Sequence, residues 1–115
     1  MVKRNASYEM NQVENMRGGE GIVTVEKLLT PEELYDKGRL YAKLTLAPGS
    51  SIGNHLHEGE MESYYIISGK AEYMDGAEQA TLLPGDTTLT RSGGEHSVKS
   101  IGDTPLELIA LILYK

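Results

Sequence analysis

The sequence predicts an all-β fold, a sandwich or barrel, and three observations carry that expectation. Eight or nine short runs with strand texture succeed one another along the 115 residues, at the roughly 8–12-residue spacing common in such folds. Turn signals separate them at Pro48-Gly49, Asp75-Gly76 and Pro84-Gly85, and an Asp-Gly pair between two strand-like runs is a strong hairpin signal. Only one segment reads as helix. The length accommodates one ordinary domain and no second one.

Taken in order, residues 1–21 are polar, sustain no hydrophobic period and end in Arg17-Gly18-Gly19-Glu20-Gly21. They are expected to form an N-terminal arm or extended lead-in, with the folded domain occupying 22–115. Residues 22–27 have the β-branched content of a short strand. Thr30-Pro31-Glu32-Glu33 then offers an N-cap, a first-turn proline and a capping-box glutamate, with Gly38 suited to the C-cap. A helix of about two turns is predicted there. Residues 39–46 alternate Leu40, Ala42, Leu44 and Leu46 with polar or amphipathic neighbours, the period of a half-buried strand. Further strands are expected over 63–67, 70–74, 78–83, 86–90, 96–101 and 106–114.

Seventeen acidic residues against eleven basic ones give a net charge of −6. That balance argues against nucleic acid or an anionic membrane surface as partner. The run 108–114 is far shorter than the roughly 20 apolar residues of a membrane helix, and Asn5, Ser7 and Glu9 stand where a signal peptide needs its apolar stretch. The expected location is the cytoplasm. Cysteine is absent, so thiolate metal sites, disulfides and a cysteine nucleophile are excluded. Seven tyrosines and no Phe or Trp point to an interior with some polar lining.

The chemistry gathers on the histidines. Two of the three in the chain, His55 and His57, are two residues apart in a segment that can be extended, so both rings point to one face. Four residues separate His57 from Glu62, enough for a loop or bulge to return a carboxylate toward the pair, and His96 on a later strand can complete the set. Three imidazoles and one carboxylate suit Mn, Fe, Co, Ni, Cu or Zn, and octahedral geometry would leave two positions for a ligand or water. A single histidine on a strand is more often a solvated or satisfied side chain, but all three histidines here fall in one pattern. Glu58 and Glu60 read as surface acids, and Glu95, next to His96, as a solvated side chain on the opposite face. No G-x-S-x-G elbow or helix-opening glycine loop is present, which argues against serine hydrolysis and dinucleotide binding.

The spacing Gly49, five residues, His55-Leu56-His57, four residues, Glu62, six residues, Gly69 resembles the first motif of the cupin superfamily at every defined position. The second motif is similar over Gly85, Ser92-Gly93 and His96, with Arg91 where the family usually has proline and Ser100 where asparagine is usual. The fifteen residues between Gly69 and Gly85 are similar to the short spacer of small microbial single-domain cupins.

The resemblance implies a double-stranded β-helix, or jelly-roll barrel, with a divalent transition metal held inside by His55, His57, Glu62 and His96. It also implies a small-molecule ligand, and a homodimer in which the N-terminal arm could be exchanged. The function expected is that of a metal-dependent enzyme on a small oxygenated or carboxylic acid, with oxygenase or decarboxylase chemistry. Sugar-phosphate isomerisation and a non-catalytic binding or sensor module are the alternatives. Tyr64 shares strand parity with Glu62 and is the one inward candidate for an acid or base. Arg91 is the candidate anchor for a substrate carboxylate at the barrel mouth, although an exposed turn arginine is the plainer reading.

Overall fold

A computed structural model describes residues 1–115. The chain forms nine strands: β1 (Glu9–Glu14), β2 (Ile22–Leu29), β3 (Gly38–Leu46), β4 (Ser51–Leu56), β5 (Glu60–Ser68), β6 (Ala71–Asp75), β7 (Glu78–Leu82), β8 (Glu95–Ser100) and β9 (Leu106–Tyr114). They form two antiparallel sheets, one ordered β1-β2-β3-β9-β5 and the other β4-β8-β6-β7. The sheets enclose one interior in the jelly-roll manner expected.

In β9 every second residue, Leu106, Leu108, Ala110 and Ile112, is buried, and β3 does the same with Ala42, Leu44 and Leu46. Their register sets Leu44 opposite Leu108 and Ala42 opposite Ala110, so the two strands present one apolar floor. Ile52, Ala71, Tyr73, Leu82 and Val98 from the second sheet close over it in the same cluster. A fully buried leucine contributes roughly 1.5–3 kcal/mol relative to an exposed one, and this floor is what holds β5 and its inward carboxylate in place.

The helix expected after Thr30 does not form. The capping box itself is present, with Thr30 N–H donating to Glu33 Oε1 and Glu33 N–H to Thr30 Oγ1. Tyr35 and Asp36 then take positive φ of 54° and 55°, which ends the segment after a turn. Leu34 is its one half-buried apolar residue, too little to stabilise a short helix by packing.

Two further segments differ from expectation. The polar lead-in contains β1, an edge strand paired in register with β2 from Glu9–Lys27 to Glu14–Ile22. Residues 86–90 run beside β5 without becoming a regular strand. Thr87 and Thr88 use their hydroxyls on the Tyr64 backbone, and the pairing is limited to isolated bridges at Glu62–Thr90 and Tyr65–Thr87.

Candidate metal centre

Strand pairing brings the four expected residues together from three separate elements. His55 on β4 stands directly opposite His96 on β8. Glu62 points inward from β5, its backbone pinned both ways to Thr90. His57 follows the end of β4, where its N–H donates to Gly94 O and its carbonyl accepts from Gly93 N–H. The turn carrying Arg91 is thereby bound to the backbone of one histidine just before it delivers the other.

The donor atoms converge. His96 Nε2 lies 3.0 Å from both His55 Nε2 and His57 Nε2, and Glu62 Oε1 lies 2.9 Å from His96 Nε2, 3.0 Å from His57 Nε2 and 3.7 Å from His55 Nε2. His57 and His96 are almost fully buried. The rings meet edge to face, with centroids 4.5–4.9 Å apart.

Each opposite ring nitrogen has its own partner. His55 Nδ1 is 2.8 Å from Gly53 O, and His57 Nδ1 is 2.7 Å from Glu60 Oε1. His96 Nδ1 is 2.8 Å from the Tyr73 hydroxyl and 3.0 Å from Thr90 Oγ1. A carbonyl and a carboxylate only accept, so Nδ1 of His55 and His57 carries the proton and Nε2 is a bare lone pair in the neutral ring.

Burial raises the Glu62 carboxyl, but the imidazoles of His55 and His96 at its oxygen outweigh this and bring it down to about 2. Burial lowers His96, against the opposing pull of Glu62. An ionised carboxylate thus faces the His96 ring, whose charging burial opposes. Glu62 Oε1 is moreover buried with no hydrogen-bond donor, an arrangement that costs energy unless a cation balances it. The four donors fit a divalent transition metal ion: three nitrogens, one oxygen and no sulfur, within 4.8 Å of one another.

A cavity of about 230 Å³ opens beside these residues, with Met16, Arg17, Arg39, Leu44, Ile52 and Tyr64 among its walls. Close backbone approach builds one wall. A Cβ on Gly53 would lie 2.2 Å from Arg17 O, so glycine there lets the turn at Met16–Gly18 rest on β4. Tyr64 is 1% exposed and stacks on His96, with centroids 5.1 Å apart and planes at 17°. Its burial pushes the phenol well above its ordinary value, with the Glu62 charge adding to the effect.

Arg91 is exposed and lines a separate surface depression with Glu60, Met61, Ser92 and Lys115, outside the metal-side cavity. Glu95 is exposed as expected, beside Asn54, and Glu58 is exposed too. Glu60 is not a surface acid: its side chain is 11% exposed and joins His57 to Arg39. Arg39 and Arg17 were not marked by the sequence motifs, since neither lies within them. Parity offered one signal, because Glu60 is two residues before Glu62 on the same strand. Ser100 is fully buried and its hydroxyl has no partner, so it supplies no side-chain hydrogen bond where the motif usually has asparagine.

Comparison with known proteins bears on the family and the fold. An oxalate-binding protein of Thermotoga maritima is 42% identical over 113 residues, covering 98% of this chain and 93% of the relative. The crystal structure of a predicted oxalate decarboxylase from Thermotoga maritima matches with a TM-score of 0.96 at 41% identity, with both chains fully covered. KdgF from a Halomonas species, at 15% identity and a TM-score of 0.75, covering 97% of this chain and 94% of its own, shares the fold. The family model described as the cupin domain matches residues 42–112, a span that contains all four converging residues, and the chain belongs to the cupin family.

Proposed function

We propose that this protein holds a divalent transition metal ion on His55, His57, Glu62 and His96 and binds a small carboxylic acid of the oxalate class beside it. The observation that carries this reading is the donorless Glu62 Oε1 set among three Nε2 atoms at the wall of a cavity. When bound, the metal supplies Lewis-acid positions for carboxylate oxygens. A divalent charge opposed by one carboxylate leaves surplus positive charge, which favours an anion. Arg17 lines the same space and adds to that preference. The volume of about 230 Å³ lies below the range of roughly 300–1,000 Å³ that takes drug-sized ligands, so the ligand is small. Leu44, Ile52 and Ile112 make the rest of the wall apolar and limit water around it. The names given to the Thermotoga maritima matches support the choice of oxalate as the first ligand to test.

A second reading, turnover of the bound acid, is favoured by Tyr64. Decarboxylation replaces a carboxylate by a proton, and the Tyr64 phenol holds its proton at the cavity wall. Calorimetric titration of metal-loaded and chelator-stripped protein with oxalate, malonate and acetate tests the binding reading. Metal-dependent oxalate binding that exceeds acetate binding supports it, and equal uptake by stripped protein contradicts it. Formate release on prolonged incubation separates turnover from binding.

The homodimer expected for small cupins is supported by the outer face of β5 and β9. Tyr65 is 51% exposed there and pairs across the strands with Ile109, next to Leu111. Sedimentation equilibrium of the protein and of Tyr65→Glu checks it, a dimer converted to monomer being the expected result.

A further inference from the structure

We propose that Glu60 and Arg39 are positioning residues of the metal centre: Glu60 accepts a hydrogen bond from His57 Nδ1–H, and Arg39 holds the Glu60 carboxylate in place to do so. This inference rests on the metal-centre reading above and adds to it two residues that lie outside the ligand set.

The three imidazoles differ in what holds their far nitrogen. His55 has a neutral backbone carbonyl and His96 two hydroxyls, whereas His57 has a carboxylate at 2.7 Å. An anionic acceptor fixes the tautomer most firmly and makes Nε2 the more basic donor. His57 is therefore the anchoring imidazole of the three.

The carboxylate is itself held. Arg39 Nε donates to Glu60 Oε2 at 2.7 Å and Arg39 Nη2 donates to Oε1 at 2.8 Å, the two-pronged geometry that gives arginine–carboxylate pairs their directionality. Oε1 thus accepts from both the guanidinium and the His57 ring. Glu60 and Glu62 lie on one face of β5, two residues apart, and two carboxylates so placed repel. Arg39, arriving from β3, offsets the Glu60 charge, so that Glu62 remains the net anionic donor of the centre. Arginine binding also holds the Glu60 carboxyl down at about 2.

The test uses the full chain and reads two quantities. Long-range proton–nitrogen NMR of the metal-free protein reports the His57 tautomer, and competition with a chromophoric chelator gives the zinc dissociation constant. Glu60→Ala is expected to redistribute the tautomer and weaken zinc binding about 10–100-fold. Glu60→Gln keeps an oxygen acceptor and is expected to recover part of the loss. Arg39→Met, which retains an apolar stem, is expected to fall between Glu60→Ala and the parent. Circular dichroism confirms that each variant is folded. An unchanged tautomer and zinc affinity within twofold in folded Glu60→Ala would overturn the proposal. A parent protein that shows the Nδ1–H tautomer, loses it in Glu60→Ala and takes up no metal would support the contact while removing the metal reading beneath it.

Discussion

Glu62 Oε1 lies 2.9 Å from His96 Nε2, while the other nitrogen of that ring is held by Tyr73 and Thr90 on the far side. The carboxylate and the imidazole come from different sheets, so their approach is a product of the whole barrel and not of local sequence.

Tyr64→Phe separates stacking from proton donation. The ring remains against His96, so metal content is expected to stay within about twofold of the parent. If the protein turns over its acid, the rate is expected to fall about 100-fold or more, the scale typical of losing a positioned acid or base. Metal content by elemental analysis and product release by chromatography check the two halves. Metal loss in a folded Tyr64→Phe would instead assign the phenol to the centre itself.

Gly69→Ala is expected to destabilise the fold by more than about 1 kcal/mol. The residue has φ +88°, and an added Cβ would stand 2.6 Å from Pro105 O and 2.8 Å from Leu106 Cα. Both neighbours are backbone and cannot swing aside. The midpoint of urea unfolding, compared with that of the parent, measures the cost.

The N-terminal segment is expected to loosen at acid pH. Its Lys3 hydrogen bonds Glu33 in the turn after β2, and this contact, followed by the Thr30 backbone, holds the Glu33 carboxyl below its usual range. A lowered carboxyl stabilises the charged pairing fully above the ordinary carboxylate value and loses it as pH falls through the folded one. Protection factors of amides in residues 1–8, with exchange corrected for its intrinsic pH dependence, are expected to fall toward pH 3 in the parent, whereas in Glu33→Gln they are expected to be low already at pH 6. Identical exchange in the two proteins at pH 6 would contradict the tether.

The convergence of the four candidate residues was legible in the sequence because it rests on short spacings. His55 and His57 share a face by strand parity, and the Gly49-to-Gly69 pattern fixes Glu62 and, with the later motif, His96. The strand at 39–46 was legible from its unbroken period of two, and that at 106–114 from its apolar run. Glu60 was not, because an acid between Glu58 and Glu62 looks solvated until Arg39 arrives on it from 21 residues away. β1 was hidden because its side chains are nearly all exposed; only its pairing with β2 defines it. The turn after Thr30 shows the opposite failure: its capping signals were right, and no buried face was there to extend them into a helix.

Elemental mass spectrometry of untagged protein purified without chelators, beside His96→Ala, tests the central claim most directly. The four-donor centre predicts close to one equivalent of a transition metal in the parent and its loss in the variant. A folded parent that holds less than about a tenth of an equivalent, and gains none when metal is added, would contradict it.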